Sequence, residues 1–311
     1  MKQFVVSIII IILGSFIADR AVGELMWWVN QHTQEHACYK INKMVNDVEA
    51  EILLMGTSRC HQHYVPSIIK DTTGMSVYNG GINASDNIYA HYILLNLIFD
   101  RYKPDVICLE VSTNDFCTQE EPFNSIGFFS PYFGRNEDSD SIFRLAGVYW
   151  PYKLLHAYRY NAKATSSLAG LFFSPDHTPD DGYVPQPQPV HPVSVAPPHF
   201  ECPINVDSNK LRYLQKFIDI CKDNDILLVF TISPEYSYVK KDHYSLLKDI
   251  AMKNNIQILD YHTKGLFISN PELFHDGAHL WDKGASLYSS IFASDLKHII
   301  DNSGQLTDDH Q

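Results

Sequence analysis

The stretch "ILLMGTSRCHQHY", residues 52–64, decides how the chain reads. Four apolar residues, Ile52 to Met55, run into Gly56-Thr57-Ser58-Arg59. That is the pattern of a buried strand ending on a glycine turn that presents a serine. Most turn serines are caps or loop formers. Whether Ser58 is more than that depends on what else the chain brings to the same edge.

Similar runs recur along the chain. "SVYNGG" (76–81), "DVICLEVS" (105–112), "ILLVFTIS" (226–233) and "IQILDYH" (256–262) join residues 51–56 as five expected strands. Their interiors are continuously apolar rather than alternating, as in strands covered on both faces of a parallel sheet. Helical patterns over 86–101, 208–223, roughly 237–254 and 284–302 lie between them, with Ser208 expected to cap the second and Asn254-Asn255 to close the third. Strand and helix in alternation imply right-handed crossovers and an open, doubly wound sheet, whose sites form at the carboxyl ends of its strands. Residues 118–207 interrupt this rhythm with an aromatic segment and then a proline-rich one, which reads as an insertion. It is either one wall of a substrate cleft or a solvated excursion.

With 311 residues, 45% of them hydrophobic, the chain can bury a large core. Its net charge of -12, without a Lys/Arg cluster, argues against nucleic acid as a partner. Six cysteines at irregular spacing do not resemble a disulfide scaffold, and no Cys/His spacing reads as a metal site. No cofactor is expected.

At the N-terminus, Lys2 precedes fifteen uncharged residues, Phe4 to Ala18. As a helix they span about 22 Å, short of a hydrocarbon core of about 30 Å. Asp19 and Arg20 occupy the place where a signal peptidase needs small residues, and Trp27-Trp28 suit an interfacial belt. Residues 1–30 are therefore expected to be a signal anchor or transmembrane helix. A cleaved signal and a buried helix are the alternatives. Residues 31–311 are then a single domain outside the cytoplasm, in the cell envelope, held to the membrane by its N-terminal helix.

Three expected strand ends carry Ser58, Gly80-Gly81 and Asn114, and "LFHDGAHLW" puts Asp276 three residues before His279 ahead of the last helix. In this order the four segments resemble blocks I, II, III and V of the SGNH/GDSL hydrolase family. They are most similar to its membrane-anchored, envelope-facing bacterial members with Gly-Thr-Ser-Arg in block I. The resemblance covers about residues 50–115 and 226–300. It implies a three-layer α/β/α, flavodoxin-like fold around a mostly parallel five-stranded sheet. It also implies Ser58 as nucleophile, His279 as general base and Asp276 as the carboxylate orienting it, an arrangement whose chemistry is sound in its own right. The implied oxyanion hole comprises the N–H groups of Ser58 and Gly81 and the side-chain amide of Asn114, with Gly81 suited to close approach or positive φ. Thr57 and Ser112 depart from the family pattern, where aspartate and glycine stand. Arg59 is either a substrate clamp or a local ion-pair partner. His61, His63 and His275 read as bystanders or rim residues, and Glu110 and Asp115 flank the site without a motif role.

The activity expected is that of a serine esterase acting on O-acyl, for instance acetyl, esters of envelope or extracellular glycans. Transfer of the acyl group to a polysaccharide, and a non-catalytic glycan-binding role on the same scaffold, are the alternatives.

Overall fold

The computed structural model describes residues 1–311 except 86, 162, 174–180, 192, 194–204, 237–240, 263 and 309–311. Helix α1 (Lys2–His32) is followed by α2 (His36–Asn46), β1 (Ile52–Met55), α3 (Ser58–His63), α4 (Pro66–Thr73), β2 (Val77–Asn79), α5 (Ile88–Phe99) and β3 (Val106–Glu110). After β3 come α6 (Glu137–Leu145), α7 (Tyr149–Leu154) and α8 (Ala164–Ala169). The chain then returns through α9 (Ser208–Asp223), β4 (Leu227–Ile232), α10 (Ser245–Asn254), β5 (Gln257–Asp260), α11 (Gly265–Ile268) and α12 (Asp282–Asp308).

The five strands form one parallel sheet in the order β2-β1-β3-β4-β5. Alternate side chains go to opposite faces, as a pleated strand requires. Leu53, Ile107, Leu109 and Phe230 join the core under α2, α5, α9 and α10, whereas Ile52, Leu54, Val106, Cys108 and Val229 join the core under α12. The fold is thus an α/β/α sandwich, as the apolar runs imply. The order reverses between β1 and β3. Open sheets of this kind hold ligands just outside the carboxyl ends of the strands at that reversal, and Ser58 lies three residues beyond the end of β1.

In its described residues the inserted region packs against the domain and is not a solvated excursion. Its first half is integral to the core: Ile126, Phe129, Tyr132, Phe133, Ile142, Phe143 and Tyr152 are buried in the cluster that covers α5. Part of the proline-rich half runs as a strap along the sheet edge, where Asp181 O accepts the Asn79 N–H at 2.8 Å. Cys38, Cys60, Cys108 and Cys221 are buried free thiols and Cys117 is a partly exposed one, while Cys202 lies outside the described residues.

Helix α9 spans the residues expected of it, but its cap differs from the sequence reading. Asp207, not Ser208, is its cap, and its carboxylate accepts the N–H groups of Asn209 at 2.8 Å and Lys210 at 3.3 Å. A carboxylate there also meets the positive end of the helix dipole, which a hydroxyl does not exploit. Asn255 closes α10 in the left-handed region at φ 55°, within the expected pair. Replacing the cap, Asp207→Ala, is expected to lower stability by about 1 kcal/mol while Ser208→Ala changes it by only a few tenths. Denaturant melts of the two variants check this; an equal loss for both would reassign the cap.

Candidate active site

Two glycines bring the elements of the site together. A Cβ at Gly56 would lie 2.7 Å from the Cβ atoms of both Cys60 and Glu110, so only glycine lets α3 start this close to β3. A Cβ at Gly81 would lie 2.3 Å from the backbone nitrogen of His61. Gly81 is required by that close approach and not by positive φ, since it is absent from the residues in the left-handed region.

Ser58 opens α3 behind Thr57 and is half-buried. As the first helical residue, its N–H has no acceptor within the helix. Across the strand edge, the loop before α12 folds back on itself through a bridge between Phe274 and Leu280. It holds His279 with Nε2 2.8 Å from Ser58 Oγ and Nδ1 2.9 and 3.0 Å from the two Asp276 carboxylate oxygens. Asp276 also accepts the N–H groups of Ala278 at 2.8 Å and His279 at 2.9 Å. Partial burial pushes the Asp276 pKa up, but the hydrogen bonds from the His279 ring and these N–H groups outweigh it and hold the carboxyl well below the usual range. An ionised Asp276 puts the proton on Nδ1 and leaves Nε2 free to accept from Ser58.

The other expected donors are placed differently. The Gly81 N–H is engaged: it donates to Asn79 Oδ1 at 3.0 Å. Asn79 is fully buried, and its amide nitrogen binds the carbonyls of Cys60 at 2.7 Å and Tyr64 at 2.9 Å, so this side chain splints α3 to β2. Asn114 lies on the turn that leaves β3, its carbonyl held by Lys210 at 2.8 Å. Its side chain is half-buried. Ser112, in the place where the SGNH pattern has glycine, caps this turn: its N–H and hydroxyl bond to Asp115 at 2.8 and 3.1 Å.

Arg59 is an ion-pair partner and not a clamp. It is 5% exposed, with Nε 3.4 Å from Glu110 and a second contact to Glu235. Glu110 is the residue that motif reasoning passed over. Buried at the end of β3, it accepts from the Ser233 N–H at 3.0 Å, Ser233 Oγ at 2.8 Å, Thr231 Oγ1 at 3.0 Å and the Tyr64 hydroxyl. A charged residue closing the apolar run "VICLE" was the available signal.

His63 is no bystander either. Its Nε2 accepts the N–H of Leu280 at 3.0 Å, so its proton sits on Nδ1, 2.9 Å from Ser233 Oγ. The chain of bonds thus runs from Glu110 through Ser233 and His63 to the residue after His279. Burial first, then the nearby His279, lowers the His63 pKa well below its ordinary value. His61 is lowered to about 2 by burial and by Lys40, whose Nζ lies 2.7 Å from its Nδ1. His275 binds the strap instead, with Nδ1 2.8 Å from Pro187 O.

No protein-family model and no curated protein matches the chain. Among solved structures it is similar to a protein of Desulfitobacterium hafniense DCB-2 assigned to the G-D-S-L lipolytic family, at 12% identity and a TM-score of 0.40. That match covers 78% of this chain and 97% of the other. A Bacteroides fragilis NCTC 9343 protein assigned as an acylhydrolase is similar at 15% identity and a TM-score of 0.38, over 79% of this chain and 86% of the other.

The two buried histidines give a pH dependence with a definite sign. Both have folded pKa values below the unfolded 6.5, so unfolding takes up protons and stability is lost as pH falls through 6.5. At one unit below, each contributes a loss of about 1.4 kcal/mol. In His63→Gln, where the amide can still accept from Leu280, the fall in stability between neutral pH and about one unit below the histidine pKa should shrink by about that amount. Urea melts at the two pH values check it; an unchanged slope would show His63 to titrate normally in the fold.

Proposed function

We propose that the chain is a serine hydrolase of ester bonds with Ser58 as nucleophile, His279 as general base and Asp276 as its orienting carboxylate. The observation carrying this reading is the continuous hydrogen bonding from Ser58 Oγ through both nitrogens of His279 to Asp276. In the reaction, Ser58 Oγ attacks the ester carbonyl as its proton passes to His279 Nε2. The charge that develops on the carbonyl oxygen meets the Ser58 N–H and the Asn114 amide, without the Gly81 N–H. The imidazolium then returns its proton to the leaving alkoxide, and an acyl-serine remains. Water, deprotonated in turn by His279, attacks that acyl group and releases the acid.

The site is open: the side chains of His279 and Asp276 are 23% and 51% exposed. That suits an acyl group carried on a large, hydrated molecule better than a small ester needing a closed pocket. We assign the substrate to O-acylated glycans outside the cytoplasm, a reading supported by α1, a long helix near the N-terminus whose apolar stretch is left unburied by the rest of the chain. The same helix is read as the membrane anchor.

A fluorophosphonate probe is expected to label the wild-type chain at Ser58, not to label Ser58→Ala, and to label His279→Ala at least about a hundredfold more slowly. Labelling that survives in Ser58→Ala identifies another nucleophile. With an acetylated oligosaccharide the expected product is free acid; transfer of the acetyl group to an added sugar would make the protein an acyltransferase. The phenylalanine variant of His63, which cannot accept from Leu280, is expected to label about tenfold or more slowly at Ser58 while the glutamine variant stays near wild type. Equal rates for both would remove His63 from the positioning of His279.

A further inference from the structure

Asp19 and Arg20 interrupt the apolar run of α1, and both are tied to the inserted region. The Asp19 carboxylate accepts the N–H of His156 at 2.8 Å and of Ala157 at 3.1 Å, while Arg20 donates to the Leu154 carbonyl at 3.1 Å. Gly23 adds a close approach, since a Cβ there would lie 2.6 Å from the His156 Cβ. These contacts fix the segment 154–157 at one level along α1, where its fully exposed apolar stretch ends.

The side chains at that level point outward and are apolar. Leu154 is 61% exposed, Leu155 51%, Tyr158 43% and Trp150, on the same helix as Leu154, 62%. Lys153 stands between Trp150 and Tyr149, its Nζ 5.4 and 5.5 Å from the two ring centres. Aromatic rings beside a lysine that can reach back to water are the composition of a membrane–water interface. The geometry has a matching need. Residues 4–18 of α1 span about 22 Å, about 8 Å less than a typical hydrocarbon core. Apolar surface held at the level of Asp19 supplies the missing depth on one side.

We propose that Trp150, Leu154, Leu155 and Tyr158 form an apolar collar beside α1 that beds into the headgroup and upper acyl layer of the bilayer. The proposal rests on α1 being the anchor. It means that the domain rides on the membrane surface in a fixed orientation, its insertion serving as a foot, and does not swing above the lipid on a tether. What commits this surface to lipid is its attachment to the exposed apolar face of α1: the hydrogen bonds of Asp19 and Arg20 lock segment 154–157 to the level where that face ends.

The test uses the full chain reconstituted in phosphatidylcholine–phosphatidylglycerol vesicles, with tryptophan emission compared between wild type and Trp150→Phe. The difference reports Trp150 alone. Lipids brominated near the carbonyl end of the acyl chain are expected to remove most of that difference, and lipids brominated near the terminal methyl much less. A chain that floats with the vesicles while its Trp150 emission is quenched by neither lipid, or only by the deep one, overturns the collar and leaves the anchor standing. A chain that fails to float overturns the anchor and the collar with it.

Discussion

A carboxylate buried from solvent organises the carboxyl edge of this sheet. Glu110 ends the central strand β3 at 2% exposure, where an unpaired charge would cost several kcal/mol. Its cost is offset by donors from two other elements: Arg59 and Tyr64 on and after α3, and Thr231 and Ser233 at the end of β4. Because each donor must reach the same two oxygens, α3 has little freedom to rotate or slide. Ser58 is the first residue of that helix. The direction of its hydroxyl is therefore set by a charge that takes no part in the proposed chemistry.

The same charge reaches the histidine side of the site. Ser233 donates to Glu110 and so is left to accept from His63 Nδ1, which leaves Nε2 of His63 as the acceptor for Leu280. Three protonation choices are coupled, and each has only one arrangement that satisfies its neighbours. His63 and His279 lie with ring centres 6.2 Å apart. A charged His63 would oppose the imidazolium that His279 becomes in the proposed reaction, as like charges do at this range. Accepting the Leu280 N–H prevents that, since a protonated His63 has no lone pair left to accept with.

How much of this was legible in the sequence follows from the range of the forces involved. The strands were readable because Ile52–Met55 and Val106–Glu110 are covered on both faces, which writes a continuous apolar run into the chain. The turn to Ser58 and the tight Asp276–His279 pair were readable because each is built by a few consecutive residues. The partners of Arg59 and His63 were not, because these side chains are satisfied by groups far away in sequence: His63 and Leu280 are 217 positions apart. Asn79 shows the difference sharply. The resemblance implied an oxyanion donor at Gly81, but burial obliges the Asn79 side-chain oxygen to find a donor, and it accepts the Gly81 N–H.

The insertion shows the opposite failure, a local reading that stopped too early. Proline excludes regular structure, yet it does not exclude packing, and an extended segment with free carbonyls can splice into an existing edge. Asp181 O takes the Asn79 N–H, Gly182 O takes Lys40, Gln186 O takes the Asp282 N–H at the start of α12, and Pro187 O takes His275. The strap therefore runs from the edge strand β2 past His61 to the loop that carries His279. It covers backbone donors that would otherwise be left without partners and closes one side of the site. The opposite requirement, that substrate enter, then falls on the open side where Asp276 and His279 meet solvent. A domain held at a fixed angle by the proposed membrane-facing surface would present that side in one direction only, so in that reading the orientation of the proposed anchor and the accessibility of the serine are parts of the same constraint.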